Sequence, residues 1–476
     1  MRGRMTVGGE VAVCVDMDGT LVLSDLGVES VFALLRRNPL YLLLLPWWLR
    51  RGLAAFKREI ARRVELDVTR LPYDARVLAW LRGQDARPRL LCTASDARLA
   101  EAVARHLGGF DAVLASDGRV NLAGARKAAA LVARCGERGF DYAGNARADL
   151  KVWAHARNAI VVNAPAPVLR AAQAQGRVAR VFAREHAPWR ECWRALRPHQ
   201  WAKNLLVFVA PLAAHRLDAG TVAHALVAFA AFCLCASAAY VLNDLLDLEA
   251  DRQHPRKRER VFAAGRLSPL AGLWLVPLLL LAALAWASLL GQGFVLVLLG
   301  YGLTTLMYSL WFKRLPALDV VVLALLYTLR IVAGGVAIPV EVSGWLLAFA
   351  LCLFLGLALL KREIEFARVP AAGDSRLGGR GYRHRQRALL RGCGIAAGSA
   401  AVVVLALYVD STKSAALYTH PDRLWGLVAL LALWLARLWQ LATRGRMHDD
   451  PLVFALTDRT SLAALALGAA LVLLAM

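Results

Sequence analysis

From Leu205 onward the chain is a succession of apolar runs separated by polar punctuation, each close to the ~20 residues that a helix needs to cross ~30 Å of hydrocarbon. Nine runs are read, at roughly 203–217, 221–243, 269–290, 293–311, 317–337, 344–361, 392–410, 423–441 and 456–475. Lys and Arg set their orientation. Arg256, Lys257, Arg258, Lys313, Arg314, Lys361, Arg362, Arg383 and Arg444 fall in loops on the side of the N-terminal half, whereas the opposite loops carry Arg216, Lys413 and Arg423. The positive-inside rule then predicts a multi-pass protein of the inner (plasma) membrane, its N-terminal half cytoplasmic and Met476 outside. Composition agrees: 58% of residues are apolar, against ~45–50% in soluble domains, which excludes a purely water-soluble globule, a disordered chain and a collagen-like repeat. A net charge of +23 on so apolar a chain points to anionic membrane lipids or phosphorylated substrates rather than to nucleic acid. The eight cysteines show no CxxC pair or metal spacing and are read as reduced core residues.

Residues 1–190 have a different chemistry. Short β-branched runs, VAVCVDMD, RLLCTASD, FDAVLASD and RNAIVVNAP, alternate with Ala/Arg-rich helical stretches, the habit of a parallel α/β sheet. The expected organisation is a soluble α/β domain over 1–190 and an all-α membrane bundle of nine transmembrane helices over 191–476. No signal peptide is expected, because the first ten residues are polar or small.

The first β-branched run leads into Asp16, Met17, Asp18, Gly19 and Thr20, two carboxylates at the carboxyl end of a strand, where parallel sheets place their ligands. Side chains two apart in a strand share a face. One aspartate is thus free to attack phosphorus while the other donates and retrieves a proton. Downstream come Thr93 with Ser95 beside it, Lys127, and the segment Gly144, Asn145, Ala146, Arg147, Ala148, Asp149. The set resembles the haloacid dehalogenase-like phosphatase superfamily across most of residues 11–165. The resemblance implies Asp16 as a nucleophile forming an aspartyl-phosphate, Asp18 as general acid/base, Thr93 and Lys127 as phosphate ligands, and Asp16, Asp18 and Asp149 around Mg²⁺. A hard, oxygen-ligated cation is also what the charges alone demand. Where that family often has an acidic pair, this chain has Asn145 ahead of Asp149, whose amide oxygen can still ligate Mg²⁺. Between the first two motifs lies a helical insertion, about 26–87, of the right size for a cap. It contains Leu40, Leu42, Leu43, Trp47 and Trp48 between Arg36, Arg37, Arg50 and Arg51. Two readings stand: an interfacial segment laid on anionic lipid, or a cap helix packed on the core.

The second constellation follows the second apolar run. Asp244, Asp247 and Asp251 fall at i, i+3 and i+7, behind Asn243 and ahead of Arg252, His254 and Pro255. On a continued helix they form one stripe, and three like charges at a membrane edge stay costly unless a divalent cation joins them. NDxxDxxxDxxxP resembles the first aspartate motif of the UbiA-type intramembrane prenyltransferase superfamily, over about residues 195–476. That implies Asn243, Asp244, Asp247 and Asp251 holding Mg²⁺ on a diphosphate, with Asp244 and Asp247 central to catalysis, in a bundle cavity open sideways to lipid. The superfamily's second site usually adds another acidic run after helix 6. Here the loop expected there reads Lys361, Arg362, Glu363, Ile364, Glu365, with Arg380, Gly381, Tyr382 and Arg383 beyond, a cluster suited to a metal-free phosphate.

Three further segments, LRPHQWAKNLLVFVAPL, YSLWFKRLPALDVVVLALLYTLR and DPLVFALTDR, resemble the decaprenyl-phosphate phosphoribosyltransferases of that superfamily. The implied reaction moves 5-phosphoribose from phosphoribosyl diphosphate to a polyprenyl phosphate. The candidate phosphate-binding cations are Lys203, Lys313, Arg314, Lys361 and Arg362, each also readable as topology-setting charge. Arg330 lies deep in helix 5 and needs either a substrate phosphate or a structural carboxylate. The expectation is a two-step fusion in which the soluble domain removes the 5-phosphate left by the membrane domain, with both active sites cytoplasmic. An ordinary prenyltransferase, moving a polyprenyl group from its diphosphate to an aromatic or lipid acceptor, is the first alternative. A transporter with a regulatory soluble half is the second, disfavoured by the scarcity of charge in helices 3, 4, 6 and 7.

Overall fold

Every residue of the first strand, β1 (Ala12–Val15), is buried, because the strand is covered on both faces. Val13 and Val15 pack one way with Leu91 and Ile160, while Ala12 and Cys14 pack the other way with Cys92 and Tyr142. Period-two alternation with both faces apolar is the condition for a parallel sheet sandwiched by helices. In this computed structural model, which describes residues 11–367, 381–447 and 450–476, the sheet has six parallel strands in the order β3-β2-β1-β4-β5-β6. The others are β2 (Arg89–Asp96), β3 (Ala112–Ser116), β4 (Phe140–Gly144), β5 (Ala159–Val162) and β6 (Val178–Phe182). Strand order reverses between β1 and β4, so the loops leaving their carboxyl ends diverge and open a crevice. Asp16 and Asp18 leave β1, and Asn145 to Asp149 leave β4, at that crevice.

The insertion between β1 and β2 is helical as expected: α1 (Leu26–Arg37), α2 (Leu45–Arg50), α3 (Leu53–Ala61) and α4 (Ala75–Arg82), with 3₁₀ turns between. Its aromatic segment is divided between core and surface. Trp48 is buried in a cluster with Leu34 and Ile60, while Leu40, Leu42, Leu43 and Trp47 are exposed.

The chain divides into two compact units, Met1–Leu196 with Tyr240–Pro277, and Arg197–Ala239 with Leu278–Met476. The segment carrying Asn243 to Asp251 thus belongs to the unit built around the sheet.

Among the described residues, seven helices are long and apolar enough to cross a membrane. They are Ala219–Leu246, Pro269–Ser288, Gln292–Leu310, Leu318–Ala337, Gly344–Ala367, His384–Val409 and Pro421–Thr443. The two remaining runs of the nine differ. Residues 203–217 contribute to a 3₁₀ segment, Pro198–Phe208, and a five-residue helix, Val209–Ala213, and the chain turns at His215, whose φ is +54°. This segment lies backbone against helix: a Cβ on Gly334 would sit 2.0 Å from the Val207 carbonyl oxygen. The last run forms Arg459–Ala475, an apolar helix of 17 residues. Helices Gly344–Ala367 and Arg387–Val409 also meet through glycines, since a Cβ on Gly356 would lie 3.1 Å from the Gly398 nitrogen, the small-residue contact common between membrane helices.

All eight cysteines are free thiols; Cys14, Cys92, Cys233 and Cys235 are buried, but Cys393 is exposed and is not a core residue.

Candidate active sites

The loop after β1 is tied down by its own backbone. Gly19 has φ +73°, a conformation that favours glycine, and a Cβ there would come 1.9 Å from the Asn145 side-chain nitrogen Nδ2. The DxDGT turn and the loop after β4 therefore close on each other at this glycine. Asp18 Oδ1 accepts from the Leu26 amide at the start of α1 (2.9 Å), and its Oδ2 accepts from the Ser95 hydroxyl (2.7 Å). Asp16 Oδ1 accepts from the Lys127 ammonium (2.9 Å). Lys127 itself is buried near the start of α6 (Ala125–Cys135), which follows α5 (Ala97–Leu107).

Charge in this crevice is balanced against burial. Burial raises Asp16 to about 7, with Lys127 opposing and Asp149 and Asp18 adding to the rise. Burial likewise lifts Asp18 to about 6, helped by Asp25 and opposed by its bonds to Ser95 and Leu26. At Lys127 burial favours the neutral amine, but Asp16 and Asp149 outweigh it and hold the ammonium.

Two predicted roles change. Thr93 is wholly buried; its hydroxyl reaches Asp18 at 3.3 Å and accepts from the Ser95 amide. Ser95 lines the crevice in its place. Asp149 spends one oxygen on the amides of Asn145 and Ala146 (3.0 and 2.9 Å) and the other on the Tyr142 hydroxyl (2.9 Å). It is the organiser of the β4 loop. Lys57, on α3, was not foreseen: it lines the crevice and donates to the Ala94 carbonyl (2.6 Å) and Asn121 (3.1 Å).

The aspartate segment is not one continuous stripe. Helix Ala219–Leu246 stops before Asp247, and a second helix runs Leu248–Gln253. Hydrogen bonds from the Asp247 amide to the Asn243 carbonyl and from the Asp251 amide to the Asp247 carbonyl carry the chain across the break. Asp244 and Asp251, both buried, share the Arg260 guanidinium at 3.1 and 2.7 Å. Burial raises Asp251 and Arg260 works against it. Asp247, half-buried like Asn243, pairs with Arg36 of α1 at 2.9 Å. Next to it Arg252 grips Glu29 of α1 with two bonds, 2.8 and 2.6 Å. Arginines join these carboxylates in the structure. Among the described residues no three metal-binding side chains converge into a closed cage. Donor chemistry nevertheless fits Mg²⁺ in both places, since every side-chain donor is a hard oxygen and Mg²⁺ keeps water and substrate phosphate as most of its ligands.

In the other unit, Lys203 and Lys361 converge on one carboxylate oxygen of Asp450, at 2.9 and 2.6 Å. Burial would raise Asp450, but the two lysines hold it well below the usual carboxylate range. Arg362 is fully buried on Asp319 (3.1 Å) and also pairs with Glu365, a structural role. Arg330 does not take the structural carboxylate that was one of its expected partners: it donates to Asn204 (2.9 Å), Tyr301 (2.7 Å) and the Leu326 carbonyl, with the Tyr301 ring 4.7 Å away. Neutral acceptors and an aromatic face satisfy the charge. The KREIE stretch is helix, not loop, because Gly344–Ala367 runs through it and Arg387 and Arg391 engage Glu363. Lys313 and the exposed Arg314 end the helix Gln292–Leu310 in a 3₁₀ turn. Arg380 lies outside the described residues.

A family model described as the UbiA prenyltransferase family matches residues 205–475. This chain belongs to the UbiA prenyltransferase family. It is therefore a multi-pass membrane protein and an intramembrane transferase of the prenyltransferase type. "Uncharacterized protein y4nM" of Sinorhizobium fredii is 38% identical over 94% of this chain and 87% of that protein. "Nodulation protein NoeC" of Azorhizobium caulinodans is 36% identical over 58% of this chain and 90% of its own length. The decaprenyl-phosphate phosphoribosyltransferase of Corynebacterium glutamicum is 39% identical over 36% of this chain and 53% of its own length. A solved UbiA homolog from Archaeoglobus fulgidus, bound to GPP and Mg²⁺, has a TM-score of 0.43 at 17% identity, covering 59% of this chain and 99% of that one.

Within the UbiA region, sequence reasoning missed Arg260 and Asp450. Arg260 ends a basic run that reads as topology-setting charge. Asp450 had a signal in the Asp-Pro start of a short helix, Pro451–Ala455, which it caps through Leu452.

Proposed function

We propose that the UbiA-family region transfers 5-phosphoribose from phosphoribosyl diphosphate to a polyprenyl phosphate, and that the crevice at Asp16 removes the 5-phosphate from the product. Supporting the first step is the 37–39% identity to decaprenyl-phosphate phosphoribosyltransferases. In the first reaction, the lipid phosphate oxygen attacks C1 of the ribose and diphosphate leaves. Asn243, Asp244, Asp247 and Asp251 would hold Mg²⁺, which when bound neutralises the leaving diphosphate. Lys203 and Lys361 present paired ammonium groups to a substrate phosphate.

The second step follows a haloacid dehalogenase-like scheme, supported by Asp16 and Asp18 at the crevice with Lys127 against Asp16. Asp16 attacks phosphorus, and Asp18 gives its proton to the departing sugar oxygen. Water, deprotonated by Asp18, then cleaves the aspartyl-phosphate and restores Asp16. A folded-state Asp18 near 6 suits a group that alternately gives and takes a proton. Lys127 binds the phosphoryl oxygens; Asp16 and Asp18 would hold Mg²⁺, which screens the phosphate charge when bound.

Mass-spectrometric analysis of products from phosphoribosyl diphosphate and polyprenyl phosphate tests both steps. Asp16→Asn is expected to accumulate the 5-phosphorylated lipid, and an unchanged product would refute the coupling. Label arriving from an isoprenyl diphosphate in place of ribose would overturn the first step.

A further inference from the structure

The crevice at Asp16 is one end of a cavity of about 1190 Å³, larger than the ~300–1,000 Å³ usual for small-molecule sites. Asp16, Asp18, Lys57 and Lys127 make its polar end. The remainder includes a wall of side chains with no phosphate chemistry: Val31 and Leu35 from α1, Phe56 from α3, and Leu267, Leu270 and Leu273. Leu270 and Leu273 belong to the first turns of Pro269–Ser288, a helix of membrane-spanning length, and both are exposed. Two further cations, Arg184 and Arg266, line the same space.

We propose that this cavity binds a lipid-linked phosphomonoester, its phosphoryl group at Lys127 and Asp16 and its isoprenoid chain along the Leu35–Leu270 wall, in preference to a free sugar phosphate. The inference rests on the reading of the sheet unit as a phosphatase and names that site's substrate class. A free sugar phosphate has no group to cover the leucines, whereas a polyprenyl chain removes them from water. A lipid joined to its sugar through a phosphodiester carries a second negative charge; Arg184 and Arg266 line the cavity, Arg266 also pairing with Glu259 at 3.0 Å. The wall includes the first turns of a helix of membrane-spanning length, an apolar surface suited to an isoprenoid chain. The bond broken is the sugar O–P ester; water supplies the hydroxyl, and the products are the lipid-linked sugar and inorganic phosphate.

The test uses full-length protein in lipid nanodiscs and two esters with one head group: ribose 5-phosphate, and 5-phosphoribose joined through a phosphodiester to a ten-carbon isoprenoid. The lipid-linked ester is expected to be hydrolysed with a kcat/KM about 100-fold higher, and Leu35→Asn to lower that preference about tenfold. Leu270→Asn, at the first turn of Pro269–Ser288, is expected to do the same. Equal kcat/KM on the two esters, or a preference that neither variant moves, overturns the inference and leaves the phosphatase reading standing. Hydrolysis of neither ester removes the phosphatase reading instead. The cavity's preference is then read by equilibrium binding in Asp244→Asn protein: geranyl monophosphate binding tighter than inorganic phosphate, and weakened by Leu270→Asn, upholds it, while equal binding overturns it.

Discussion

Both carboxylate clusters of the sheet unit are charge-balanced by basic side chains, but by different means. At Asp16 the partner is Lys127, 3% exposed and fixed near the start of α6, and the neighbouring oxygens take backbone amides and hydroxyls. In the aspartate segment the partners are long arginines reaching in from elsewhere, Arg260 on Asp244 across sixteen residues and Arg36 on Asp247 across more than two hundred. The first arrangement is rigid and expensive to disturb. The second is made of exchangeable contacts, since Arg36 and Arg260 keep 34% and 26% of their side chains in solvent.

The contrast is most sharply tested by removing carboxylates. Asp244→Ala with Asp247→Ala should lower transfer by about 1000-fold, the scale of losing preorganised charge at a reacting diphosphate, while ribose ester hydrolysis at Asp16 continues. Undiminished transfer sinks the assignment. Next comes stability. Lys127→Met leaves Asp16 and Asp149 buried without their ammonium and should destabilise the sheet unit by about 3–5 kcal/mol, read as faster thiol labelling of buried Cys14. Arg260→Met should cost clearly less; equal losses would erase the distinction between rigid and exchangeable pairing.

A smaller effect depends on pH. Asp16 in the folded protein is raised from 3.8 to about 7, so the folded state binds more protons than the unfolded one between those values. Stability of chelator-treated protein should therefore fall as pH rises from about 4 to about 7, read as a falling urea midpoint of unfolding. Asp16→Asn should flatten that dependence. The smallest change is expected from Arg36→Ala. A half-exposed pair contributes about 0–1 kcal/mol, so freeing Asp247 should lower the Mg²⁺ needed for half-maximal transfer by about two- to fivefold. A higher requirement would mean that Arg36 assists the cation.

Legibility in the sequence follows the same divide. The sheet, the helical insertion, the loops at Asp16 and Asp149 and the membrane runs are local patterns of alternation, length and turn chemistry, and the sequence displays them directly. Arg36 on Asp247 and Arg252 on Glu29 are long-range pairings, and no spacing announces them. Position along β2 does not reveal which of two neighbouring hydroxyls lines the crevice: Ser95 does, while Thr93 is buried. The KREIE stretch reads as a loop by charge alone, yet Glu363 is neutralised by Arg387 and Arg391 and the helix continues. The 203–217 run has the apolarity of a span, but Pro211 and the turn at His215 interrupt it.

Asp450 bridging Lys203 and Lys361 has a consequence for whatever anion reaches those amines. The carboxylate is tethered to the chain and competes at a high effective concentration, so a visitor must win an exchange rather than fill a vacancy. Dilute monovalent anions lose such a contest, whereas a dianionic phosphate, offering more charge than the group it evicts, prevails. The tethered aspartate acts as a filter on valence.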